Sequence, residues 1–128
     1  MTGFIVFAHG SRVESANQAV RDIASRMAAS GAHTVEPAFL ELGQPDLAGA
    51  VQRLIATVGV SRIVVIPYFL TLGTHLQRDL PRLVEDAARA FGADIRMEVT
   101  LPLDGHPALL EALLDRASQA LAAERRPV

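Results

Sequence analysis

Three residues with side chains able to bind divalent metals or move protons each follow an apolar run: His9 in HGSR, Glu41 in FLELG and His75 in LGTH. Two imidazoles and a carboxylate suit Fe, Co, Ni or Zn, and a set without thiolate holds such an ion without sealing it in a closed cage. An ion held in that way can be passed on. Neutral imidazole also accepts protons near neutral pH, so the same residues can serve as bases. Taken singly, a histidine at a strand end is more often a hydrogen-bonded structural residue, and a glutamate before ProAsp is more often simply solvated. The pair of histidines shifts that balance toward chemistry.

Other residues near these three suit supporting roles. Asp79 reads as a helix N-cap or, if the helix starts a turn earlier, as an i+4 partner that orients His75. Arg12 and Arg78 flank the histidines and suit carboxylates on a ligand, or are ordinary solvated charges. Phe39, Leu40, Leu42, Tyr68, Phe69, Leu70 and Leu72 crowd the same segments. Phe39 and Phe69 are expected in the core; the others, where exposed, make a floor for a large flat ligand. His33 precedes its strand and belongs to the opposite rim, and His106, before Pro107, reads first as a helix start.

These residues need a scaffold that brings three loops to one place. Runs rich in β-branched and aromatic residues at 3–8, 33–39, 62–67 and 94–99 alternate with segments of helical period, which predicts strand, helix, strand, helix throughout. The first helical segment carries Ala16, Val20, Ile23 and Met27 on one face and stops near Gly31. The second starts at Pro45 and Asp46, presents Leu47, Val51, Leu54, Ile55 and Val58, and stops at Gly59. The third is expected to start at Asp79 with Pro81 in its first turn, bury Leu80, Val84, Ala87 and Phe91, and stop at Gly92. The fourth opens at His106 and Pro107 and runs through Leu109, Leu110, Leu113, Leu114, Ala117 and Leu121, with 122–128 expected to fray. The first and third strands are almost wholly apolar, as when helices cover both faces of a parallel sheet. The fold class predicted is α/β: a flavodoxin-like three-layer sandwich with a four-stranded parallel sheet. In such a sheet, the loops leaving the strand carboxyl ends gather along one edge, where ligands bind.

Composition narrows the function classes. A chain of 128 residues with 50% apolar residues is one domain with a core of its own. The net charge of −2, with twelve arginines and no lysine, gives no general affinity for nucleic acid. Cysteine is absent, which excludes disulfides, thiolate catalysis and cysteine metal sites. Without a basic leader or a long apolar run, no membrane association is expected and a cytoplasmic location is the default.

HGSR after the first strand, FLE after the second, and P-x-F-L-x-x-G-x-H-x-x-x-D-x-P after the third resemble the small form of the sirohydrochlorin chelatases, the class II chelatase family. The resemblance covers essentially the whole chain. It implies a chelatase-like α/β sandwich and insertion of a divalent metal, Co²⁺ first with Fe²⁺ or Ni²⁺ as alternatives, into sirohydrochlorin. That tetrapyrrole carries eight carboxylates and gives up two protons. It implies His9 and His75 as catalytic, metal-binding residues, with Glu41 assisting. Ser11, Arg12 and Arg78 would hold carboxylates, and Leu72, Gly73 and Thr74 would lie against the macrocycle. Larger members contain two such domains facing across a cleft, so a chain of this length implies a homodimer. No organic cofactor or nucleotide is implied, only the metal as co-substrate.

Three rivals begin from the same residues. Histidine phosphatases expect an arginine before the first histidine, where this chain has Ala8. A serine hydrolase built on Ser11 would need Gly-x-Ser-x-Gly, which HGSR does not supply. A metal or tetrapyrrole carrier would use the same rim, and turnover alone separates it from a chelatase.

Overall fold

A computed structural model describes residues 1–31, 33–57, 59–92 and 94–124. The chain runs β1 (Thr2–Ala8), α1 (Glu14–Gly31), β2 (Thr34–Phe39), α2 (Leu47–Ile55), β3 (Arg62–Pro67), α3 (Thr74–Ala90), β4 (Arg96–Val99) and α4 (Pro107–Glu124). All strand pairs are parallel, and the sheet order is β2-β1-β3-β4. The two most apolar strands therefore take the centre. Proline has no ladder donor to give, and Pro37 accordingly falls on β2, an edge strand.

Alternation along β1 and β3 divides the core. Ile5, Phe7, Ile63 and Val65 face α2 and α3, which contribute Leu47, Ala50, Val51, Leu54, Leu80, Val84 and Ala87. Val6, Ala8 and Phe39 face α1, which contributes Val20 and Ala24, with Met27 alongside. Burying one such side chain contributes about 1.5–3 kcal/mol, so these two clusters are the main source of stability. Asp46 caps α2 as predicted, accepting from the Gly49 N–H at 2.8 Å. Val58 lies outside the described residues.

Three helices differ from the expectation. The buried face of α1 is Asn17, Val20 and Ala24, so the stripe is rotated and Ala16 and Ile23 are exposed. The N-cap of α3 is Gly73 rather than Asp79, more than a turn earlier, and Pro81 sits inside the helix. There it deprives the Gln77 carbonyl of its helical donor, and both residues are exposed, so water can serve that oxygen. The helix α4 continues through Glu124, so 122–124 are helical; the rest of the predicted frayed end lies outside the described residues. Every described side chain of α4 beyond Leu109 is exposed, including Leu110, Leu113, Leu114 and Leu121. Its leucine face thus forms no part of either core cluster. Among the described residues, no helix is long and apolar enough to cross a membrane.

Candidate active site

From β1 the chain crosses to β2 on one side and then returns to place β3 on the other, which makes the carboxyl ends of β1 and β3 the topological switch point of the sheet. His9 follows β1 directly. Its loop is joined to the loop after β2 by backbone bonds that extend the β1–β2 pairing beyond the strands: Leu40 N–H to the Ala8 carbonyl at 2.9 Å and Glu41 N–H to the His9 carbonyl at 3.0 Å. Gly10 turns the chain away with φ of 94°, a conformation that side-chain-bearing residues avoid.

This zipper sets the side chains of His9 and Glu41 against each other. His9 Nε2 lies 3.7 Å from Glu41 Oε1, and both side chains are more than half exposed, at 58% and 57%. His9 Nδ1 lies 3.2 Å from the Gly10 carbonyl. A carbonyl can only accept, so this contact takes the tautomer with the proton on Nδ1 and turns the Nε2 lone pair toward Glu41. Two acceptors facing one another call for a positive charge between them, either a proton or a metal ion. Ligand bonds of about 2.1 Å allow two donor atoms to lie up to about 4.2 Å apart, so the observed gap fits one shared divalent ion at a wide angle.

His75 reaches the same place from the first turn of α3. A cavity of 720 Å³ is lined by His9, Leu40, Phe69, Gly73, Thr74, His75, Leu76, Asp79, Arg82 and Leu83. Its wall is apolar along Leu40, Phe69, Leu76 and Leu83, with both histidines in its lining. Arg78 Nη2 is 3.3 Å from His75 Nδ1 and Arg78 Nε is 3.3 Å from Asp79. A guanidinium only donates, so His75 Nδ1 is the accepting nitrogen in this arrangement. Asp79 thus reaches His75 through Arg78. Among the described residues, no three histidine, aspartate or glutamate side chains converge as a closed metal site. His9 and His75 share the lining of this cavity, and Glu41 stands outside it, beside His9.

The other expected site residues divide. Gly73 and Thr74 line the cavity. Leu72 packs against the core cluster and does not line the cavity. Ser11 is occupied locally: its Oγ accepts from the Val13 N–H at 3.0 Å, and its backbone is held by Asn17. Arg12 is exposed and, like Arg78, forms no part of the cavity wall. The arginine that does line it is Arg82. Leu40, Leu42, Tyr68 and Leu70 are exposed, and of these Leu40 lines the cavity; Phe39 is in the core, whereas Phe69, expected there too, is half-buried and lines the cavity. His106 caps α4 with its ring, Nδ1 accepting from the Ala108 N–H at 3.0 Å.

Sequence reasoning missed Leu76, Arg82 and Leu83 because it began α3 too late. With the helix starting at Thr74, His75, Asp79 and Arg82 fall at i, i+4 and i+7 and share a face. It missed Asn17 because a buried amide looks like a solvent-facing residue in a hydropathy pattern.

A family model described as CbiX matches residues 3–120. The chain is 36% identical over 120 residues to the chloroplastic sirohydrochlorin ferrochelatase of Arabidopsis thaliana, covering 93% of this chain and 52% of the relative. It is 31% identical over 144 residues to the sirohydrochlorin cobaltochelatase of Methanopyrus kandleri, covering 97% and 100%. Among solved structures, a CbiX protein from Marinobacter aquaeolei superposes with a TM-score of 0.83 at 27% identity over 96% of this chain and 99% of that one. The sirohydrochlorin chelatase SirB of Bacillus subtilis, solved with cobalt, shares the fold with a TM-score of 0.82 at 24% identity, covering 92% of this chain and 50% of that one. The chain thus spans the whole of some relatives and about half of others. A match over nearly all of its length, on a sheet whose carboxyl edge carries His9, Glu41 and His75, makes this chain a member of the CbiX family.

Proposed function

We propose that this protein is an ATP-independent sirohydrochlorin chelatase that inserts a divalent metal ion, Co²⁺ in the first instance and Fe²⁺ or Ni²⁺ as alternatives. The observation that carries the reading is the His9–Glu41 pair, open to solvent at 3.7 Å, beside an apolar cavity that also holds His75. Two ligands hold an ion more loosely than four macrocycle nitrogens would, so transfer runs downhill. The apolar wall of Leu40, Phe69, Leu76 and Leu83 receives the flat ring, and Arg82 meets one of its carboxylates.

Insertion releases two protons from the macrocycle, and they need acceptors close by. Once the ion leaves, the His9 Nε2 lone pair and the Glu41 carboxylate are free to take one between them. His75 becomes a base or ligand at Nδ1 when Arg78 swings from it to a substrate carboxylate. No organic cofactor takes part in this scheme.

A homodimer belongs to the same reading. Relatives such as the A. thaliana enzyme and SirB are about twice the matched length, and a second copy of this chain would supply a facing half. The exposed leucines of α4 are the surface we assign to that contact. We place the reaction in the cytoplasm, on the sequence reading above.

The test is a mixture of purified protein, sirohydrochlorin and Co²⁺, followed by visible absorption against a protein-free control, with Fe²⁺ and Ni²⁺ in parallel. Many turnovers, lost in His9→Ala and His75→Ala, are expected. Stoichiometric metal or tetrapyrrole binding with no acceleration would favour a carrier instead.

A further inference from the structure

We infer that Asn17 is the positioning residue of the His9–Glu41 pair, holding the two loops that carry it at the separation a shared metal ion requires. The inference rests on the reading that this pair handles the metal.

Asn17 is 1% exposed and is the one buried polar side chain among the described residues. Its amide is fully used. Oδ1 accepts from the Ser11 N–H at 2.9 Å, and Nδ2 donates to the Ser11 carbonyl at 2.8 Å, to the Leu42 carbonyl at 2.8 Å and, at 3.4 Å, to Glu14. Ser11 lies two residues after His9, and Leu42 one residue after Glu41. A single planar group on α1 therefore clamps the far side of both loops, while the Glu41–His9 backbone bond closes the near side.

The chemistry of the amide explains the residue type. One end must accept and the other must donate twice, which neither a carboxylate nor a hydroxyl can do. Leu42 adopts a left-handed φ of 56°, so its carbonyl is directed by the loop turn and not by a strand. Arg21, one turn further along α1, donates to the Gln44 carbonyl at 3.1 Å and secures the end of the same loop. With Asn17 removed, Arg21 and the backbone bond would still keep the loop attached, but the Leu42 carbonyl would lose its donor. The prediction is a looser gap at the pair in a protein that remains folded.

The experiment titrates Co²⁺ alone into the whole protein and follows the visible bands of the bound ion, for wild type, Asn17→Ser, Glu41→Ala and the double variant. Asn17→Ser is expected to weaken Co²⁺ binding about tenfold, and the double variant to bind no more than about twofold worse than Glu41→Ala, because neighbours acting as a unit are not additive. Unchanged Co²⁺ binding in Asn17→Ser, or losses that multiply in the double variant, would overturn the inference. Asn17→Asp, which keeps the acceptor toward Ser11 and loses the donors, replaces Asn17→Ser in the same cycle if the latter lacks a cooperative thermal transition. If neither variant folds, Zn²⁺ titration of labelled wild type decides. The Asn17 side-chain amide signals should move with the same saturation as the His9 ring, and signals that stay still overturn the inference.

The two readings fail separately. Co²⁺ binding that follows the cycle without sirohydrochlorin turnover removes the chelatase and leaves the positioning role. Turnover with an Asn17→Ser variant indistinguishable from wild type in Co²⁺ affinity does the reverse.

Discussion

A Cβ built on Gly10 would lie 1.6 Å from the carbonyl oxygen of Glu41. The chain after β1 and the chain after β2 are thus in backbone contact at the point where the side chains of His9 and Glu41 emerge. Gly10→Ala must push the loops apart and also hold alanine at φ of 94°. The strained conformation alone costs about 1–3 kcal/mol. Thermal unfolding should show a clear fall in midpoint, and Co²⁺ binding should weaken further than stability alone explains. An alanine variant with wild-type affinity would mean that the loop contact does not govern the pair.

Arg82 is the arginine in the cavity wall, and the proposed substrate is a polycarboxylate. One charge-assisted hydrogen bond contributes about 1.5–3 kcal/mol. Arg82→Ala is therefore expected to raise KM for sirohydrochlorin about tenfold or more while kcat falls little, since the residue binds at the periphery. Arg12→Ala serves as the control and should leave KM within about twofold. Steady-state kinetics at fixed Co²⁺ separates the two.

How much of this is legible in the sequence depends on the kind of signal. The strands were readable because Ile5, Val6, Phe7, Ile63, Val64 and Val65 leave no polar residue to interrupt the run. His9 and His75 were readable as partners because each follows such a run. The start of α3 was not, since Asp79 and Pro81 imitate a helix beginning while the true cap, Gly73, offers no side chain to recognise. Asn17 was hidden for a related reason: its burial depends on carbonyls contributed by a loop 25 residues away. Helical period revealed the leucine face of α4 but could not say what covers it.

A pH effect on stability should arise where β3 meets β4. A hydrogen bond from the Arg62 guanidinium, then its charge and that of Arg96, holds the Glu98 carboxyl below its usual range. A lowered folded-state pKa gives stability that is present above the ordinary carboxylate pKa and lost as pH falls through the lowered one. Glu98→Gln should therefore melt below wild type at neutral pH, with the gap narrowing as the solution is taken through the carboxylate range. The gap should be small and salt-sensitive, because both partners are substantially exposed. A gap of constant size from neutral to acid would assign the effect to packing.

The dimer contact proposed for α4 predicts a concentration-dependent assembly. Leu113→Glu combined with Leu114→Glu should convert a dimer to a monomer in sedimentation equilibrium, without lowering the helical signal of the core elements. Each leucine buried in such a contact contributes about 1.5–3 kcal/mol, so two charged replacements should weaken association by several orders of magnitude. A wild-type chain that sediments as a monomer at all concentrations would remove the homodimer from the functional reading.

Pro37 has a bearing on which contacts between copies are open at all. An uncovered sheet margin is a template on which another chain can lay down a strand, and from which fibrils grow. At one margin of this sheet the proline has no amide hydrogen to offer, so a docking strand meets a gap in the ladder. At the other, β4 is four residues long and carries Arg96 and Glu98, which offers little length and a charged surface to an incoming strand. Both margins are poor nuclei for strand addition, so copies of this chain should meet through helix faces and stay out of the cross-β state.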